Sequence, residues 1–251
     1  MHRQPWFELH DQQWFPALFR DLVTEALQAT WKTNHTYRPV VPLLREAVER
    51  SRSRRIIDLC SGGGGPWPAL YKQMADGRPL EVRLTDLYPN ARVTPANGLS
   101  MHPEPVDARC VPGQLTGFRT MFSSFHHFDP PAARAILADA FSRREGIAVF
   151  EAARRSAWTL LAVNAVPLLA LRAGLAAWPI PASRILWTYL LPVVPAVLWM
   201  DGVLSCLRSY SLADLHELTE GLSAPDYEWR MGEQRGGPVA ITYLIGGAVN
   251  R

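Results

Sequence analysis

Cysteine is scarce in this chain: Cys60, Cys110 and Cys206 are the only three, odd in number and far apart. That excludes a disulfide framework and a cysteine-based metal cluster, and it points to a reducing compartment. A strong charge of one sign is also missing. Twenty-six basic side chains against 23 acidic ones leave a formal net charge of +3, too little for a surface built to grip nucleic acid. The basic run Arg50-Ser51-Arg52-Ser53-Arg54-Arg55 reads as a solvated connector, the rival being an RNA or phosphate contact. Apolar runs are present but short. Residues 157–171 and 185–200 carry no charge, yet each falls below the roughly 20 apolar residues that a spanning helix needs. The start, Met1-His2-Arg3-Gln4-Pro5-Trp6, lacks the pattern of a signal peptide. A cytoplasmic location is the expectation.

Glycine, by contrast, is concentrated. Four of the 17 follow one another, Gly62 to Gly65, directly after Ile56-Ile57-Asp58-Leu59-Cys60-Ser61. An apolar strand running into such a loop lets a ligand lie against main chain at the carboxyl end of a sheet strand. No Gly-Lys-Ser/Thr follows, so this is not a Walker loop. In a dinucleotide fingerprint the third glycine would fall at Trp67 or Pro68, both too large for close helix–strand packing. Asp58 sits just before the glycines, where a carboxylate repels phosphate and suits a cation. Downstream, Leu80-Glu81-Val82-Arg83-Leu84-Thr85-Asp86 alternates like a strand and ends in an acid where a ribose diol can be reached. The bland alternative for Asp86 is a turn-initiating residue before Leu87-Tyr88-Pro89.

Asp58-Leu59-Cys60-Ser61-Gly62-Gly63-Gly64 resembles motif I of the class I S-adenosylmethionine (SAM) methyltransferases, usually D/E-x-G-x-G-x-G. Cys60 departs from it at the first glycine, and because cysteine restricts φ, a negative φ is expected there. The resemblance implies S-adenosyl-L-methionine as cofactor. Asp58, Cys60, Gly62 and Gly64 would hold its methionine end and Asp86 with Leu87 its ribose. A third strand would end at Pro105-Val106-Asp107-Ala108, with Asp107 and Ala108 at the adenine. A fourth, Thr120 to Phe125, would place Ser123 or Ser124 under the cofactor. His126-His127-Phe128-Asp129-Pro130 is similar to the His-bearing segment after motif IV in many small-molecule methyltransferases. The DPPY/NPPY tetrapeptide of enzymes acting on base amines is missing. The implied acceptor is a small, fairly apolar metabolite methylated on oxygen, nitrogen or carbon.

His126 and His127 are the candidate bases, since a neutral imidazole is poised near physiological pH. Adjacent side chains point in different directions, so one at most faces a pocket; the alternative is that both are structural. Glu151, closing a fifth strand, either reaches the acceptor or pairs with Arg154 or Arg155. His35 and Tyr37 either close over the donor carboxylate or the acceptor, or simply pack. Cys60 reads as structural rather than nucleophilic. No acidic cluster suggests a metal site, and none is expected.

Strand and helix patterns alternate from Ile56 to Glu151. Asp129 then Pro130 makes an N-cap and N1 pair, and Ser211 to Asp214 resembles a capping box. Tyr227 to Met231 and Val239 to Ile245 read as a hairpin. The expectation is an α/β fold: a Rossmann-like, mostly parallel sheet closed by a C-terminal antiparallel hairpin. Its divisions are a helical N-terminal cap (1–50), a SAM-binding core (51–155), an apolar helical insertion (156–210) and a C-terminal helix with hairpin (211–251). The insertion has three readings: helices buried against the sheet or a second copy of the chain, a lid over a lipophilic pocket, or peripheral membrane contact through 157–200. Trp158, Trp178, Trp187 and Trp199 support the last. Two rivals to a methyltransferase stand beside it, an NAD-type oxidoreductase and a non-catalytic SAM-binding or membrane-associated protein.

Overall fold

The computed structural model describes residues 2–89, 98–176, 181–237 and 239–249. Trp178 lies outside them. Seven strands form one sheet in the order β3-β2-β1-β4-β5-β7-β6. They are β1 (Arg55–Asp58), β2 (Glu81–Leu84), β3 (Leu99–Met101), β4 (Phe118–Phe122), β5 (Ile147–Glu151), β6 (Tyr227–Gln234) and β7 (Ile241–Ala248). The first five are parallel; β7 runs antiparallel to β5 and pairs with β6 as a hairpin. Strand order reverses between β1 and β4. In open α/β sheets that crevice is where ligands bind.

The third strand comes earlier than the sequence pattern suggests. Leu99–Met101 pairs with β2, whereas the stretch ending at Asp107-Ala108 is loop. Pro103 and Pro105 explain this, since proline lacks the N–H that a ladder needs.

Successive residues of β1 point to opposite faces and join two cores. Ile56 packs with Leu44, Trp67 and Leu70 from α2 (Val41–Arg50) and α3 (Trp67–Ala75). Ile57 packs with Ile136, Leu137 and Leu215 from α4 (Pro130–Ser142) and α9 (Leu212–Thr219). The remaining helices are α1 (Ala17–Thr33), α5 (Ala157–Ala162), α6 (Val166–Ala176), the short α7 (Ala182–Arg184) and α8 (Val193–Arg208), with a π-helical stretch over Ile185–Leu190. Leu22 and Val23 of α1 share a third core with Ala170, Val194, Val197 and Leu198 of α6 and α8. The apolar insertion therefore rides on α1, which in turn roofs the carboxyl ends of the strands.

Candidate active site

The loop after β1 makes the floor of the site. Ser61 N donates to Thr85 O at 2.9 Å and Gly64 N to Ser61 O at 2.8 Å, folding the chain back before α3 starts at Trp67. Cys60 takes φ +56° and Gly62 φ +52°. The expected negative φ at Cys60 is thus corrected: the turn needs the left-handed region here, the conformation glycine adopts freely and a Cβ resists. From α1, Gln28 Nε2 donates to Gly63 O at 2.8 Å. A Cβ on Gly64 would lie 3.2 Å from that same amide, so the helix sits close on a loop free of side chains.

A cavity of about 350 Å³ opens between this loop, α1 and the end of β4, within the range of small-molecule sites. Asp58, Cys60, Gly62, Asp86, Leu87, Ser123, Ser124 and His127 line it. Gly64, His35, Tyr37, Asp107, Ala108, His126 and Glu151 do not. Gly64 supplies the space for Gln28. His35 is exposed in a left-handed turn after α1. Tyr37 is buried, its hydroxyl 2.5 Å from Ser123 Oγ and its ring edge-on to Phe122; it supports the floor. Asp107 pairs with Arg109, Nη2 to Oδ2 at 2.6 Å, which holds its carboxyl below the usual range. Ala108 is in the core under α4.

The acids inside are held individually. Asp58 is buried and accepts from Thr120 Oγ1 at 2.6 Å and Ser61 Oγ at 2.7 Å. Burial nevertheless pushes its carboxyl up to about 6. Asp86 accepts from Gly62 N at 2.8 Å and Tyr88 N at 2.9 Å, and burial again raises it. Burial also pushes the Cys60 thiol up, away from the thiolate a nucleophile needs. Around the cavity stand four carboxylates, Asp11, Asp21, Asp58 and Asp86, against Arg20 and the imidazoles of His10 and His127. That balance favours a cationic ligand over a pyrophosphate. Ser124 Oγ, buried, has no hydrogen-bond partner among the described residues.

The two histidines separate. His126 is buried with Nδ1 2.5 Å from Glu151 Oε2 and Nε2 3.4 Å from Glu8 Oε1. Burial works against its charge, but the carboxylates Glu151 and Glu8 outweigh it and push the imidazole up to about 10. Protonated at neutral pH and walled off from the cavity, it cannot take a proton. Glu151, read as reaching the acceptor or pairing with Arg154 or Arg155, lies outside the cavity lining, where its carboxylate meets His126 and accepts from Phe125 N at 2.8 Å. His127 does line the cavity, and its Nδ1 is 2.6 Å from Asp11 Oδ2. In the neutral tautomer that donates Nδ1–H to Asp11, the lone pair is on Nε2.

Glu8, His10 and Asp11 went unseen in sequence. Burial resists the charge of Glu8, yet facing His127 and His126 its carboxyl stays far below the usual range. His10 Nδ1 meets Asp201 Oδ2 at 2.7 Å. The ligand atoms of Glu8, His126 and His127 lie within 4.8 Å of one another, as do those of His10, Asp11 and His127. By distance either set could hold a cation. Each imidazole also has a carboxylate on Nδ1. The only sequence signal was a Glu-Leu-His-Asp run just ahead of the first long helix.

No family model matches the sequence, and no curated protein matches it. Solved structures do. Human N-acetylserotonin methyltransferase, crystallised with SAM, aligns with TM-score 0.53 at 14% identity over 95% of this chain and 60% of its own. This chain thus spans less than two thirds of that enzyme's length. The plantazolicin methyltransferase BpumL, in complex with SAH, matches at TM-score 0.46 and 9% identity, covering 93% and 98%. The mitomycin 7-O-methyltransferase MmcR matches at 0.45 and 17%, covering 81% and 52%. The first of these likenesses shows the fold alone: a Rossmann-like, mostly parallel sheet closed by an antiparallel hairpin, shared with that methyltransferase.

Proposed function

We propose that this chain is a SAM-dependent methyltransferase acting on a small, fairly apolar metabolite at oxygen, nitrogen or carbon. The observation that carries the reading is the cavity at the β1/β4 crevice, with a glycine loop as floor, four carboxylates around it and His127 facing in. The residues suit the cofactor. Asp86 offers carboxylate oxygens to a ribose diol, Asp58 lies where a cationic methionine end would sit, and Ser124 Oγ is an unsatisfied group on the floor. Bound SAM supplies a methyl already activated on sulfonium, so the chain's task is alignment and exclusion of water. His127, oriented by Asp11, accepts the proton of an acceptor hydroxyl or ammonium. The acidic lining speaks against a dinucleotide.

The test is calorimetry and thermal shift with SAM, its demethylated product and NADH, followed by an acceptor screen with labelled SAM. SAM and its product should bind and NADH should not; the reverse would establish the oxidoreductase. Asp86→Ala should weaken SAM by about tenfold or more, the worth of a charged hydrogen bond. Asp86→Asn serves as control for the Gly62 contact. Normal SAM affinity with no acceptor methylated would favour a non-catalytic SAM-binding protein.

A further inference from the structure

Residues 157–176 form one almost unbroken helical run, α5 joined to α6 by a single turn at Val163–Ala165. Its exposed positions include Trp158, Leu161, Ala165, Leu168, Arg172 and Leu175, in steps of three and four that trace one helix face. Trp158 is 71% exposed, Leu161 65%, Leu168 69% and Leu175 65%. A surface helix of a water-soluble domain turns its polar side outward; this one turns leucine outward and Thr159, Val163 and Ala170 inward. The face continues onto its neighbours. Trp199 Nε1 donates to Asn164 Oδ1 at 3.0 Å, and Tyr189 OH to Leu171 O at 2.7 Å. These bonds set the exposed Trp199, Leu190 and Leu191 beside the leucine stripe. So large an apolar surface marks an interaction site.

Charge and shape identify the occupant. Between 157 and 200 there is no acidic residue, and the two charges are Arg172 and Arg184. Arg184 meets Glu25 at 2.7 Å, while Arg172 is exposed on the stripe itself. A second copy applied to this face would bring it no carboxylate from the same stretch. Anionic headgroups supply that charge, and tryptophan beside arginine suits the boundary between headgroup and acyl chain. Among the described residues no single helix is long and apolar enough to cross a membrane; the pair on either side of Leu191 and Pro192 reaches that length only together and is bent by 66°. We propose that this face seats on the surface of an anionic lipid bilayer, its helices lying in the interface without spanning it. The proposal is independent of the methyl-transfer reading.

Flotation of the full chain with vesicles tests it, using phosphatidylcholine alone and phosphatidylcholine mixed with phosphatidylglycerol. The chain should float with the mixed vesicles, and lipids brominated along the acyl chain should quench its tryptophan fluorescence. Leu161→Glu with Leu168→Glu, both at exposed positions, should cut partitioning by about tenfold or more while leaving the thermal melt in place. Arg172→Gln should weaken the preference for the anionic mixture. If the wild type stays at the bottom of the gradient with both vesicles, the proposal fails. It also fails if sedimentation shows a stable dimer that the glutamate pair dissociates and no lipid binding, since the face then belongs to a second copy. The quenching experiment needs no variant and stands even if the double glutamate chain misfolds.

Discussion

At the scale of single residues, two neighbours of the same type end in opposite states. His126 is locked between the carboxylates of Glu151 and Glu8, while His127 shows one nitrogen to Asp11 and lines the cavity. His127→Ala should lower turnover by about 10²–10⁴, the contribution of a positioned general base, with SAM affinity unchanged; full activity would remove the base. His126→Ala strips a partner from a buried ion pair and should cost about 3–5 kcal/mol of stability, read by urea unfolding. The sequence showed that one histidine at most would face the pocket. It did not show which, because Glu8 and Asp11 decide that from more than a hundred positions away. Cys60 makes the same point. At φ +56° it carries about 1–2 kcal/mol of left-handed strain, so Cys60→Gly should relieve it, less about 0.5–1 kcal/mol of added chain entropy. A net gain of about 0–1.5 kcal/mol is expected by denaturant titration; a clear loss would mean that the packing of the thiol matters more than its φ.

At the scale of elements, local chemistry was legible and pairing less so. The N-cap at Asp129 and the capping box of Ser211 with Asp214 both form as their side chains dictate, because a cap is an agreement between residues three apart. Ser211→Ala should cost about 1 kcal/mol and loosen the first turn of α9, whose Asp214 N loses its acceptor; amide exchange along Leu212–Thr219 measures this. β3 is the contrary case. Three residues at the sheet edge carry too weak an alternation to be told from the proline-broken stretch that follows. The glycine loop was plain from sequence because its constraint is local. The seat of the insertion was not, since only the packing of α6 and α8 on α1 distinguishes an inward apolar face from an outward one.

At the scale of the whole molecule, the buried charges set a pH profile that no single element would give. His126 rises from an ordinary 6.5 to about 10 in the fold, burial opposing and the two glutamates prevailing. A cation whose folded pKa is raised contributes stability that is fully present below about 6.5 and is lost as pH climbs through about 10. Glu8 has the opposite sign: its depressed carboxyl stabilises above the ordinary 4.5 and gives that up as pH falls toward its folded value. Asp58, raised by burial from 3.8 to about 6, favours its protonated form, so ionising it lowers stability between those values. The three together predict an acid-side loss below about 4.5 from Glu8, a fall between about 3.8 and 6 as Asp58 ionises, and a further decline in the urea midpoint from about pH 6.5 to 10. His126→Gln, unable to ionise, should flatten the alkaline limb and weaken the acid limb, since Glu8 then loses one of the imidazoles that hold its carboxyl down. An unchanged alkaline limb in that variant would mean that the Glu8–His126–Glu151 chain does not carry the charge its geometry implies. The N-terminal segment would still be held by Arg3 on His126 O and Phe128 O, by the Gln4 N to Leu207 O bond, and by Leu9 N and His10 Nδ1 on Asp201.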